Sequence, residues 1–230
     1  MPRLRQSRDL RQRCASRQGF TLLEALAAAV ILAILAALLF GAIGKVRAAS
    51  EQAQCVARLR EVNRATLSYA ADHEETLPSS LNPADRLGDA DGIWYHYREL
   101  VLPYLGGLGP QAAAKIFTCP ADHELAPDSP SYLFNGGNEF AEALPGLAGK
   151  RLVAILHPAR TVLIAEAGAF HPYSWHDPRR GSAKSYNDAK NVVSFCDGHV
   201  EFLPIFQPPN HEYAAEADPP SRYGYQWSPE

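Results

Sequence analysis

The chain has 230 residues and a net charge of −3, and this charge is divided unevenly along it. Residues 1–19 contain six arginines and one aspartate, a net charge of +5, which leaves −8 for the remaining 211 residues. Because nucleic acid is itself polyanionic, so acidic a body argues against nucleic acid as the main partner. The excess of basic over acidic residues lies in the N-terminal segment, where it bears on membrane topology.

An apolar segment of membrane length follows the basic residues. Residues 20–44 carry a single charged side chain, Glu24. In a helix these 25 residues would rise about 37 Å, and a bilayer core is about 30 Å thick. A secretory signal has a shorter apolar core with its cleavage site after it. A generic anchor has no need of a carboxylate that costs about 2.5–3.5 kcal/mol at such depth. By the positive-inside rule, the N terminus is expected in the cytoplasm and the C-terminal side outside it.

The junction Gly19-Phe20-Thr21-Leu22-Leu23-Glu24 resembles the processing site of type IV prepilins and of the pseudopilins of type II secretion systems. The resemblance implies that a membrane prepilin peptidase cuts between Gly19 and Phe20 and N-methylates Phe20. Glu24 then pairs with the N-terminal amine of a neighbouring subunit and fixes the axial register between subunits. The implied partners are the peptidase, other pilin or pseudopilin subunits and an inner-membrane assembly platform. The implied location is the inner membrane, with a single span.

The apolar helix is predicted to continue as an amphipathic one. No proline or glycine occurs between Lys45 and Asp72, and apolar or small residues recur there in steps of three and four. Those residues are Val46, Ala49, Ala53, Val56, Leu59, Val62, Thr66 and Tyr69. Pro78 ends any helical continuation. The expected domains are a leader at 1–19, a transmembrane half-helix at 20–44, an amphipathic half at 45–75 and an exported globular domain at 76–230.

The exported domain is predicted to be α+β and pilin-like, with the long helix packed on a small antiparallel β-sheet and long loops. Residues 97–105 predict a short helix ended by two glycines, and 161–167 form a β-branched strand. Residues 116–122 and 131–136 are interpreted as short strands or loops. Residues 191–203 predict a hairpin with a two-residue turn at Asp197-Gly198, followed by His199. The tail after Pro204 is expected to be irregular.

Six short motifs give a second resemblance, to prepilin-type proteins with a processing-associated H-x9-DG motif. They are C-x-x-x-L-R at 55–60, Y-A-x-D at 69–72, L-P-Y-L-G at 102–106, C-P-x-D at 119–122, S-Y-x-x-N at 131–135 and F-x-D-G-H-V at 195–200. Asn187 stands where that subgroup has its histidine. The subgroup positions imply a Cys55–Cys119 disulfide. Cys196 is an alternative partner for Cys119, and a fully reduced set also stays open.

Metal and catalytic signals are weak. His171, His176 and Asp177 offer ligand atoms, but their spacing is more typical of loop histidines. A calcium-binding loop is similar in composition to the segment that contains Asp85, Asp89, Asp91 and Gly92. The segment lacks the ligand order of such a loop, and Val101 stands where its closing glutamate would be. Related pseudopilins bind calcium, so a calcium site stays an open alternative here. No cofactor is expected to be required, and the metal ligands are unknown. No catalytic motif is found, and the chain is not expected to be an enzyme.

Three functions fit these observations. The first is a structural subunit, a pseudopilin or minor pilin, assembled by helix packing. The second is a membrane-tethered exported binding module that forms no filament and binds polysaccharide through Trp94, Trp175 and Trp227. The third is an exported hydrolase on a pilin stalk. The subunit is favoured, because the tryptophans are equally well explained by core packing.

Overall fold

The structure is a computed structural model and describes residues 21–79, 93–123, 130–136, 145–176 and 186–230. It divides into two compact units, Met1–Lys45 and Val46–Glu230. Helix α1, Leu22–Asp72, passes through both. The helix ends where Glu74 and Glu75 take positive φ angles of 56° and 61°, a left-handed conformation that no helix can continue.

In the second unit, α1 packs on a four-stranded antiparallel sheet, as the α+β prediction requires. The strands are β1 (Tyr132–Phe134), β2 (Val162–Glu166), β3 (Ala189–Phe195) and β4 (Val200–Ile205), in the order β1-β2-β3-β4. Every residue of β2 is buried, so both faces of the sheet are covered. The prediction of a strand at 161–167 is confirmed by β2. Of the two alternatives for 131–136, short strand or loop, the strand is found, as β1.

Three shorter α-helices accompany the sheet in the part of the chain that the structure describes. They are α2 (Ile93–Val101), α3 (Pro110–Ile116) and α4 (Ala167–Phe170). Helix α2 continues into a 3-10 turn, Leu102–Tyr104, and the chain then turns through Gly106 and Gly107, whose φ angles are 74° and 69°. This matches the predicted short helix ended by glycines. The segment 116–122, expected as strand or loop, is a loop after its first residue, Ile116, which ends α3.

The amphipathic stripe of α1 is buried only in its second half. Val46 is 67% exposed, whereas Leu59 and Val62 are fully buried. The predicted amphipathic face therefore packs on the domain in part, because the sheet and loops reach the helix only from about Cys55 onward. Cys55, which the stripe did not include, is fully buried.

The β3–β4 hairpin forms where it was predicted, with a different turn. Phe195 N donates to His199 O at 3.0 Å, so three residues rather than two connect the strands. Gly198 has φ 98°, the left-handed position of a three-residue loop. The predicted two-residue turn is wrong because Cys196 also belongs to the loop, where its N–H donates to Thr161 O at 3.1 Å.

The tail after β4 has little regular structure beyond two 3-10 turns, Ala214–Glu216 and Ser221–Tyr223, in line with expectation. Its end nevertheless enters the core. Gln226 forms a parallel bridge with Thr161, and the side chains of Tyr225 and Trp227 are 0% and 1% exposed. The last residues thus extend the sheet side of the domain rather than leaving it.

Candidate functional site

The large apolar side chains in the N-terminal part of α1 are exposed, because no other described segment packs on them. Those more than half exposed in the first unit are Leu22, Leu23, Leu26, Val30, Ile31, Leu32, Ile34, Leu35, Leu38 and Ile43. Within the described residues, α1 is the one helix long and apolar enough to cross a membrane, by length and composition. So continuous an exposed apolar surface requires lipid or other helices around it.

Glu24 caps the first turn of this helix. Its Oε2 accepts hydrogen bonds from Thr21 N at 2.9 Å and Thr21 Oγ1 at 2.8 Å, and Glu24 N donates to Thr21 Oγ1 at 3.2 Å. This reciprocal arrangement is a capping box. The sequence interpretation missed it, although Thr-x-x-Glu before an apolar run is its signature. Gly19 and Phe20 lie outside the described residues.

A disulfide joins Cys55 of α1 to Cys119, with their Cα atoms 5.1 Å apart. This is the pairing that the H-x9-DG resemblance implies. Cys196 is a free, buried thiol. The bridge fastens the helix to the loop after α3, and Arg58 of the next helical turn donates to Thr118 O at 2.6 Å beside it.

Hydrogen bonds connect the short motifs of the second resemblance to one another. Ser131 Oγ donates to Asp122 at 2.7 Å and accepts from Cys119 N at 2.8 Å, which ties the S-Y-x-x-N motif to C-P-x-D. Tyr132 OH donates to Cys55 O at 3.2 Å, which ties it to C-x-x-x-L-R. The geometry therefore assigns these motifs a structural role, as braces between the helix, the loop after α3 and the sheet.

The hairpin motif is also a brace. Asp197 Oδ1 accepts from His199 N at 3.1 Å and lies 2.5 Å from His199 Nδ1, while the His199 ring stacks on Phe195 with centroids 4.1 Å apart. Asp197 N donates to Pro158 O at 3.2 Å. These contacts hold the turn shape, which Gly198 makes possible.

Asn187, in the place of the subgroup histidine, fastens the tail. Its Nδ2 donates to Tyr223 OH at 3.2 Å and its Oδ1 accepts from Gln207 N at 3.0 Å. Asn187 is exposed and bonds two segments that follow β4. An amide can donate and accept at once, so it satisfies both segments.

The two histidines proposed as metal ligands contact different residues. His171 packs on Tyr213, with ring centroids 4.2 Å apart, whereas His176 lies beside Glu166 at 2.8 Å. The two histidines thus have different partners, which agrees with the interpretation of their spacing as that of loop histidines. Asp177 and the calcium candidates Asp85, Asp89, Asp91 and Gly92 lie outside the described residues, so calcium binding stays a prediction.

The three tryptophans belong to the core. Trp94 is 3% exposed, Trp175 9% and Trp227 1%. Trp94 and Trp227 both pack on Phe170, with centroid distances of 4.6 Å and 5.1 Å. A polysaccharide platform built from these three rings is therefore wrong, because stacking on sugar requires an exposed ring face.

Residues 14–40 match the family model of the prokaryotic N-terminal methylation motif. The match covers the Gly19–Phe20 junction and most of the apolar segment. Searches of curated proteins and of solved structures give no match. The motif and the apolar helix together support a membrane-anchored, type IV pilin-like protein that is processed by a prepilin peptidase, and they favour a structural over a catalytic role.

Proposed function

We propose that the chain is a pseudopilin or minor pilin, a structural subunit of a type II secretion-like or type IV pilus-like assembly. The N-terminal methylation motif, together with the uncovered apolar helix that it overlaps, carries this proposal. Prepilin peptidase cuts Gly19–Phe20 and methylates Phe20. An inner-membrane platform then receives the mature chain, whose N terminus faces the cytoplasm and whose globular domain lies in the periplasm or outside the cell.

Assembly would use the apolar side chains and Glu24. Neighbouring helices replace lipid around the exposed leucines and isoleucines. Among the described residues, both hydrogen bonds that Glu24 accepts go to Oε2. A carboxylate has about four lone-pair sites, so Oε1 can accept from the methylated ammonium of a neighbouring Phe20 while the capping box stays intact. That contact neutralises two charges that are costly in an apolar environment.

Processing is tested by intact-mass and N-terminal analysis of the protein extracted from its native membrane. The expected product starts at an N-methylated Phe20. A chain that retains residues 1–19, or one cut after the apolar segment, would contradict the proposal and leave a plain anchored or secreted domain.

Assembly is tested with two substitutions of Glu24. Glu24→Gln keeps a capping-box residue and removes only the charge, whereas Glu24→Ala removes both. We expect both variants to be cleaved normally and to lose cross-linking between differently tagged copies in native membranes. Glu51→Ala is the matched control, since it removes a partly buried helical acid that is paired with Arg47. Assembly by Glu24→Gln at the wild-type level would show that the charge has no such role.

The second candidate function, a tethered binding module, predicts the opposite pattern. Its ligand binding would survive both Glu24 substitutions, and no cross-linked copies would form in the wild type. The sequence argument for this function relied on three tryptophans that would bind polysaccharide, and these three side chains are buried.

A further inference from the structure

We propose that Cys55, Cys119, Glu166 and His176 form a zinc site that is available only when the Cys55–Cys119 disulfide is reduced. One donor atom from each of these residues lies within 4.8 Å of the others. The His176 and Glu166 side chains are 2% and 0% exposed. This inference concerns the globular domain and does not depend on the proposed assembly function.

The donor atoms converge on one point. His176 Nε2 lies 2.8 Å from Glu166 Oε1 and 3.7 Å from Cys119 Sγ, so the same ring nitrogen faces the carboxylate and the sulfur. In tetrahedral zinc sites the metal lies about 2.3 Å from sulfur and about 2.0–2.1 Å from nitrogen or oxygen. Neighbouring donors are then roughly 3.3–3.8 Å apart. Once the sulfurs separate, small side-chain shifts reach this geometry.

The fold holds these four residues from independent elements. Cys55 is in α1, Cys119 follows α3, Glu166 ends β2 and His176 follows α4. Glu166 Oε2 accepts from Val192 N at 2.8 Å, which fixes the carboxylate and leaves Oε1 toward the histidine. The backbone of Cys119 is fixed through Ser131. The donors therefore stay near each other without the sulfur–sulfur bond.

A buried carboxylate–imidazole pair is costly to desolvate and contributes little net stability. The disulfide beside it has no need of polar neighbours. A divalent cation explains why an acid, an imidazole and two sulfurs meet in the interior, since thiolate, imidazole and carboxylate are all zinc ligands.

A dithiol is the reductant that opens the Cys55–Cys119 disulfide. Its two thiols transfer two electrons and two protons to the disulfide, which gives two cysteine thiols and the oxidised reductant. Zinc binding then releases both thiol protons to solvent, and His176 binds as a neutral ring through Nε2, with its one ring proton on Nδ1. Two thiolates, one carboxylate and Zn²⁺ leave one net negative charge, near the Arg58 guanidinium that binds Thr118 O.

The test uses the full chain in detergent, reduced with a phosphine that does not compete for metal. Cobalt(II) is added as the probe, and we expect one ion per chain with a thiolate-to-cobalt charge-transfer band and the visible absorption of tetrahedral cobalt. Zinc should displace it. The oxidised chain should bind neither. His176→Ala and Glu166→Gln should each weaken cobalt binding about tenfold or more, whereas Cys196→Ser should bind like the wild type.

Thermal unfolding of the reduced chain is measured with and without zinc, which tests the proposal even if reduction without zinc unfolds the domain. Zinc that binds the folded reduced chain must raise its unfolding midpoint, and the near-ultraviolet circular dichroism of the buried tryptophans must return. No rise, equal binding by the oxidised chain, absence of the thiolate band, or loss of the band in Cys196→Ser would each overturn the proposal.

Discussion

Asn63 of helix α1 donates a hydrogen bond from its side-chain Nδ2 to the backbone oxygen of Phe195, at 3.0 Å and across 132 positions of sequence. Both residues are buried, so the bond joins the helix to the end of β3 inside the core. This directional contact favours one placement of the helix over the hairpin, in addition to the apolar packing around it.

Replacing Asn63 with aspartate should destabilise the globular domain strongly. The substitution sets a carboxylate against a carbonyl oxygen in the interior, where an unpaired charge costs several kcal/mol. Asn63→Ala should cost about 1–3 kcal/mol, the range for leaving a buried partner unsatisfied. Denaturant unfolding of both variants measures the difference. Equal stabilities of aspartate and alanine variants at neutral pH would contradict the burial of this contact.

Removing the disulfide should lower stability by about 2–4 kcal/mol, because the bridge closes a long loop of the unfolded chain. The bridge spans 64 positions of sequence. The double variant Cys55→Ala/Cys119→Ala is compared with Cys196→Ala, which removes a buried thiol without a bridge. A double variant no less stable than that control would show that the helix is held by other contacts.

Cys196 should resist alkylation in the folded, oxidised mature chain. Burial, and secondarily the Asp197 carboxylate, raises the pKa of the Cys196 thiol far above its usual range, and the reactive form is the thiolate. Mass spectrometry after iodoacetamide treatment should find this thiol unmodified at pH 8 and modified in denaturant. Rapid labelling without denaturant would contradict its burial.

The domain should lose stability in alkali before its buried tyrosines ionise. Burial raises the pKa of Tyr97, Tyr132 and Tyr225, and the Glu166 carboxylate raises that of Tyr132 further. Above about pH 10 the unfolded chain releases protons that the folded chain keeps, so stability falls as pH rises. The slope is about 1.4 kcal/mol per pH unit for each such tyrosine.

Absorbance titration at the phenolate band, run beside far-ultraviolet circular dichroism, checks this order of events. The ionisation of these three tyrosines should coincide with unfolding. Titration of all tyrosines near pH 10 in a chain that stays folded would contradict the prediction.

The long helix, strand β2 and the hairpin could be predicted because each has a local pattern: an apolar run, β-branched residues, or Asp-Gly between alternating segments. The capping box was equally visible and was missed. Sequence could not show that Glu166 and His176 meet the two cysteines, because the four come from separate elements and only the folded topology brings them together. The burial of Trp227 was hidden for the same reason, since nothing near it distinguishes core from surface.

The place of Trp227 constrains how the protein reaches its folded state. Its ring fills the interior beside Phe170, and the backbone of Gln226 bonds Arg160 and Val162. In the proposed export from the N-terminal side, Trp227 would cross the membrane after every strand and helix of the domain. The core around Phe170 would then close only once this residue has arrived.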